Sequence, residues 1–138
     1  MKGQWNGYYK YHSKAMQRRV GVEQTYFKII ILISDDNKFS GTVEDDRNTM
    51  GAPGIGLIRG EITGDKISFI KQMPFRMTIN SKGEATIHPE EDKPIFYTGK
   101  ISTSRKMIFG NWEFKPGFIL KILFPGKWRG TFVMEKIN

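Results

Sequence analysis

The chain of 138 residues contains no cysteine, which removes disulfide cross-links, thiolate nucleophiles and thiolate metal ligands at the outset. Its two histidines are His12 and His88, and no Ser-His-Asp constellation can be assembled around either. There is no run of about 18 apolar residues of the kind that spans a bilayer as a helix, so no membrane partner is expected. The opening Met1-Lys-Gly-Gln-Trp5 lacks the apolar core of a signal peptide. Read as a complete chain, this predicts a cytoplasmic protein. Long stretches of Ala, Leu and Glu are missing too, which argues against a helical architecture.

What is present points to strands. Glycine occurs 15 times and aromatics make up 13% of the chain, a composition suited to pleated, half-buried surfaces. The length fits one domain, residues 1–138, with a core of ordinary size. Lys and Arg number 22 against 14 Asp and Glu, a net charge of +8. Such a surface attracts phosphate polymers, but charge alone is not a site.

The clearest local signal lies in residues 56–71, two alternating segments joined by Gly64-Asp65. A two-residue turn containing Gly fixes a hairpin register. Ile62 then faces Ile67, Gly60 faces Phe69 and Ile58 faces Lys71. Because side chains alternate, Ile58, Ile62, Ile67 and Phe69 share one apolar face with a single ammonium, Lys71. Arg59, Glu61, Ser68 and Gln72 take the other face.

The same device repeats along the chain. A first strand covers 4–11, with Trp5, Gly7, Tyr9 and Tyr11 on one face. The basic segment 12–19 reads as a solvated loop. The second strand covers 24–34, and Asp35-Asp36-Asn37 reads as a three-residue turn that sets Ile33 against Phe39, Ile31 against Gly41 and Phe27 against Asp45. The third strand covers 38–45, the fourth 54–63, and the fifth starts at Lys66. Residues 73–93 fold back on themselves around Asn80-Ser-Lys-Gly83 as a protruding hairpin. A sixth strand covers 94–102 and a seventh 106–114. Ser104-Arg105 between them places Gly99 opposite Gly110 and Tyr97 opposite Trp112. The last strand covers 129–137.

Eight sequential antiparallel strands bring the last beside the first and close an up-and-down barrel. Counting 118–124 as a ninth strand would leave the ends parallel, so that segment reads as a short apolar cap of one or two helical turns at the mouth. Connections after the second, fourth and sixth strands are tight, and the others are long. All the long ones fall at one end, which predicts a closed bottom and an elaborated mouth.

Short motifs carry a resemblance. Phe39-Ser-Gly-Thr-Val-Glu-Asp45, Ile58-Arg-Gly-Glu-Ile62 and Tyr97-Thr-Gly-Lys-Ile101 resemble the third, fourth and sixth strands of avidin and streptavidin. Trp112 and Trp128 stand where that family carries binding tryptophans. Gly3-Gln-Trp5 is similar to the Gly-x-Trp opening of the wider calycin group, which includes the lipocalins. The resemblance implies an avidin/lipocalin-like barrel whose bottom is plugged by Trp5 with a cation from the last strand, here Lys136. It does not imply biotin. Val43 and Asp45 stand where the family has its third-strand tyrosine and serine, an aliphatic residue or Phe69 replaces its fifth-strand tryptophan, and its last-strand aspartate has no match.

Inward positions near the mouth give Tyr9, Tyr11, Asp45, Lys71, Tyr97 and Trp112, to which the resemblance adds Trp128. An ammonium inside a barrel is costly unless paired, and Asp45 is the partner at its level. This set reads either as a polar pocket with aromatic walls or as an internal network that fills the lumen. His88-Pro-Glu-Glu-Asp92 has metal-ligand atoms at no recognised spacing and reads as a solvated loop. Gly54-x-Gly56 is followed by a strand instead of a helix, so it does not cradle phosphate; close strand packing explains it.

The leading expectation is a non-enzymatic barrel binding a small, partly apolar ligand at its open end, with no cofactor. The alternative is a basic module for nucleic acid or another anionic partner, using Lys10, Lys14, Arg18, Arg19, Arg76, Lys82, Lys127 and Arg129 between Tyr8, Tyr11 and Trp128. A further alternative is an oligomeric scaffold without ligand. Outward-facing Ile70, Phe96, Met107 and Phe109 predict self-association through one barrel wall, as a homodimer or higher.

Overall fold

The computed structural model describes residues 1–114 and 128–137. Eight strands form one closed antiparallel barrel: β1 (Gly3–Tyr11), β2 (Thr25–Asp35), β3 (Lys38–Asp45), β4 (Ile55–Thr63), β5 (Lys66–Gln72), β8 (Ile95–Ile101), β9 (Met107–Phe114) and β10 (Arg129–Ile137). Each strand pairs with its predecessor, and β10 returns to β1. Between β5 and β8 the chain leaves the wall to form a separate two-stranded sheet, β6 (Arg76–Ile79) and β7 (Ala85–His88). The segment expected to cap the mouth, 118–124, lies outside the described residues.

Turn chemistry sets most of the registers. Gly64 has a φ of 63°, and the pairs Ile62–Ile67, Gly60–Phe69 and Ile58–Lys71 form as the hairpin rule requires. Tyr97 lies opposite Trp112 and Gly99 opposite Gly110. The turn after β2 differs from the sequence expectation. It has two central residues, Asp36 and Asn37, with φ of 48° and 66°, flanked by the pair Asp35–Lys38. Positive φ at both positions is the type I′ geometry that matches strand twist. A bulge between Ile31 and Ile33 absorbs the extra residue, so Ile31–Gly41 and Phe27–Asp45 pair as expected while Phe39 meets Ser34 and Ile33 meets Ser40. The bulge turns Ile33 out to solvent.

The basic segment after β1 is not a loop but a short helix, α1 (Lys14–Val20). The Ser13 hydroxyl accepts the Met16 N–H at 3.3 Å, and Gly21 closes the other end with a φ of 88°. Ser at the N-cap and a left-handed Gly just beyond the last turn are the usual stops of a helix. Met16 and Val20, four apart, supply its buried face. Gln17 donates to the Tyr11 carbonyl at 2.8 Å, and Arg19 donates to the Ile79 carbonyl at 3.1 Å. α1 is thereby tied to both the barrel rim and the β6–β7 hairpin.

The core fills the lumen. Ile29, Ile31, Phe39, Ile58, Ile62, Ile67, Phe69, Ile101, Ile108, Phe132 and Met134 are buried along its length. At the bottom each tight turn is bonded to a neighbouring strand. The Asn37 carbonyl accepts the Ile62 N–H at 2.7 Å, that of Asp65 accepts the Ile101 N–H at 2.7 Å, and that of Lys106 accepts the Lys136 N–H at 2.8 Å. Trp5 is fully buried there, and its indole N–H donates to the Met1 carbonyl at 2.9 Å. Lys136 is opposite Trp5 in register, but its side chain is exposed. The Met1 carbonyl satisfies the indole N–H of the plug.

Candidate functional site

Asp45 is the last residue of β3 and Lys71 the penultimate residue of β5. Both alternate inward, so the barrel brings them together near the mouth. The Lys71 ammonium donates to both Asp45 oxygens, at 2.6 and 2.7 Å. The two side chains are only 3% and 2% exposed. The ammonium also lies 4.8 Å from the centre of the Tyr9 ring and 5.9 Å from that of Phe27, a favourable placement of a cation on aromatic faces. Phe27 is opposite Asp45 in register, which is why it joins the group.

Four further members surround this pair. Tyr9 and Tyr11, at the mouth end of β1, set their rings edge-on to Trp112 at 5.8 and 5.0 Å. The Trp112 indole N–H donates to the Lys10 carbonyl at 3.3 Å. Its ring lies across Gly130, where a Cβ would stand 2.6 Å from the indole nitrogen, so that strand position must stay bare. Tyr97 stacks on Phe69 at 4.6 Å and meets the edge of Phe132 at 5.0 Å. Tyr97 and Trp112 are buried in the core, whereas Tyr9 and Tyr11 are part-exposed. Trp128 sits one step further out, against Phe114 at 5.9 Å. Its indole nitrogen is buried and has no hydrogen-bond partner among the described residues.

The electrostatics are those of a site withdrawn from water. Burial, reinforced by the Asp45 charge, pushes the Tyr9 and Tyr97 hydroxyls well above the ordinary phenol value; a hydrogen bond with Thr25 opposes the shift at Tyr9. Burial and then the charges of Asp92 and Asp45 push Tyr11 up to about 12. All three are therefore neutral hydroxyls at physiological pH. Asp92 is raised by burial, against the pull of the Lys93 amide and of Arg76, Lys71 and Lys93. It is held beside the site by Gln72, which donates to its carbonyl.

The seven residues expected from the sequence thus lie at one end of the barrel: the ion pair itself, four aromatics around it and Trp128 above them. Phe27, Phe114 and Asp92 join them without having been expected. Phe27 was legible through its pairing with Asp45. Asp92 was not, because it lies in the segment 88–92 that reads as solvated. In that segment Glu90 does pair at the surface with Arg76 at 2.6 Å, and His88 meets the Thr78 hydroxyl. Among the described residues no group of three or more His, Asp or Glu could hold a metal ion. No described helix is long and apolar enough to cross a membrane.

Hollows occur on the outer wall. A groove of about 870 Å³ crosses the outside of β10, β1, β2 and β3, lined among others by Tyr8, Tyr26, Lys28, Glu44 and Glu135. Opposite charges alternate there, with Lys28 and Glu44 3.9 Å apart, which is ordinary surface chemistry. Comparison of the chain with protein-family models, with curated proteins and with solved structures gives no match in any of the three.

Proposed function

We propose that this protein is a non-enzymatic barrel that binds a small, partly apolar ligand at its mouth. The observation that carries the reading is the Lys71–Asp45 pair, buried under part-exposed aromatics at the elaborated end of an otherwise apolar lumen. Apolar residues of similar volume fill a lumen at least as well as a buried ion pair does, and removing two charges from water is expensive. A polar floor under aromatic walls is what orients a ligand. The motif resemblance to avidin-like and lipocalin-like barrels supports the same reading at the level of fold. Biotin is not the proposed ligand, because Val43 and Asp45 replace two of the polar groups that would hold it.

Native mass spectrometry of protein purified from cells tests this. The expected result is a retained small molecule on the wild type that is lost from a folded Lys71→Met variant. A wild type of bare polypeptide mass, with a Lys71→Met variant changed only in stability, overturns the reading and leaves a filled lumen. A second reading has its own observation. The Arg19–Ile79 hydrogen bond gathers α1, with Arg18 and Arg19, and the hairpin that carries Lys82 at one side of the mouth. These cations suit a nucleic acid or another anionic partner. A labelled oligonucleotide that shifts at low salt favours this second reading, and one that does not removes it.

We further propose a homodimer through the wall of β5, β8 and β9. Phe109 is 48% exposed and Met107 42%, with the part-exposed Ile70 and Phe96 on the same outer face. Ile70 is opposite Phe96, whereas Phe109 is opposite Lys100, so the apolar side chains form two groups on this wall; exposed apolar groups on one wall favour an interface. Sedimentation equilibrium at tens of micromolar should give a dimer mass for the wild type and a monomer for Phe109→Lys. A monomeric wild type rejects the dimer.

A further inference from the structure

The proposed mouth site also carries information about the class of its ligand, and the following rests on that reading. An indole N–H is a donor and never an acceptor. The three indoles of this chain differ in what they donate to. That of Trp5 reaches the Met1 carbonyl at 2.9 Å and that of Trp112 the Lys10 carbonyl at 3.3 Å. That of Trp128 is buried and has no partner among the described residues. Buried polar groups without partners are rare in native proteins, and each calls for an explanation. We propose that the mouth takes a neutral, flat molecule with a carbonyl or similar acceptor oxygen that receives the Trp128 indole N–H.

Neutrality follows from the charges. The Lys71 ammonium is already matched by both Asp45 oxygens and covered by the Tyr9 and Phe27 rings. Among the described residues, the floor of the site thus holds no unbalanced cation to attract a carboxylate; the cations of α1 and the hairpin lie to one side of the mouth. Asp92, half-buried on the same side, repels an anion when ionised. A cationic ligand fits no better, because an ammonium offers donors to a donor. The buried tyrosine hydroxyls remain protonated and add further donors without charge. Flatness follows from the walls: Phe114 lies 5.9 Å from Trp128, and Tyr11 meets Trp112 edge-on at 5.0 Å. Aromatic faces and edges of this kind favour stacking on a ring.

The test uses the full chain and three probes of similar size: 2-quinolone (a neutral lactam), naphthalene (no acceptor) and 2-naphthoate (an anion). Each is titrated against the three indole N–H signals in nitrogen-15 NMR, assigned by single Trp→Phe variants. The expected result is that 2-quinolone moves the Trp128 signal saturably and leaves that of Trp5 in place. Trp128→Phe should weaken 2-quinolone by at least about tenfold while changing naphthalene by less than about twofold, since only the lactam uses the donor. Trp5→Phe and Trp112→Phe assign the Trp128 signal by elimination, so a poorly folding Trp128→Phe does not block the wild-type result. Tighter binding of 2-naphthoate, or equal loss of lactam and naphthalene in the variant, overturns the ligand class and leaves the mouth as a binding site. Failure of all three probes at millimolar concentration, with no small molecule retained from cells, overturns the underlying reading as well.

Discussion

The two ends of this barrel are built from the same eight strands and differ in almost everything else. At the bottom the turns are short, each turn carbonyl is bonded to a neighbouring strand, and Trp5 is sealed by the chain's own first carbonyl. At the mouth the connections are long and carry a helix and a separate hairpin. The one buried ion pair among the described residues and the orphaned indole are there too. A closed sheet satisfies its own backbone, so strand pairing asks nothing special of either end. One end is therefore free to be pure packing while the other carries its polar groups at the ends of strands in a rigid wall.

Substitutions at the two ends should separate packing from polarity. The largest effect is expected at the bottom. Trp5→Ala should cost roughly 3–5 kcal/mol in urea unfolding, as expected for loss of a large buried aromatic; a cost below about 1 kcal/mol would mean that Trp5 is not the plug. At the mouth, Lys71→Met should cost a similar 3–5 kcal/mol or so, because it strands a buried carboxylate. Here the damage should be reversible. Lys71→Met combined with Asp45→Leu should return to within about 1 kcal/mol of wild type. If the double variant stays as unstable as the single one, the mouth is packed as rigidly as the bottom and the contrast between them is lost.

Titration gives two finer tests. Tyr9, Tyr11 and Tyr97 have folded-state values above those of the unfolded chain. The folded state then holds more protons than the unfolded state above about pH 10, so stability falls as pH rises from there. The tyrosine contribution to stability should be flat below that point and decline toward pH 12, and phenolate absorbance at 295 nm should rise together with unfolding. Replacing Tyr11 by Phe should reduce the decline; an unchanged profile would place its hydroxyl in water. The smallest effect concerns Asp92, whose raised value means that its charged form is disfavoured in the fold. Asp92→Asn should raise stability by a few tenths of a kcal/mol at pH 7, the size expected for a half-exposed group. The gain should vanish below about pH 4, where the carboxyl is protonated in both states.

The sequence made most of the barrel legible because tight turns fix registers without reference to the rest of the fold. Gly64-Asp65 was enough to put Lys71 inside, and the level of Asp45 on the neighbouring hairpin was enough to name its partner. The bulge at Leu32 escaped because residues 29–33 are apolar on both faces, so the alternation that exposes a slip is missing there. α1 escaped although Ser13, Met16, Val20 and Gly21 spell a capped helix, because its basic composition reads as solvated surface. Asp92 could not have been found. Its burial depends on the chain returning from the β6–β7 hairpin to Gln72 and Met73, which no local pattern encodes.

Closure of the main sheet has a consequence for how this protein meets other chains. All eight strands are paired on both sides, so the barrel wall offers no backbone edge to template a further strand. The β6–β7 hairpin is a two-stranded sheet and has two such edges. Among the described residues, backbone-mediated aggregation is thus confined to four-residue strands. They are flanked by the charges of Arg76, Lys82, Glu84 and Glu90, which act as gatekeepers against edge-to-edge growth.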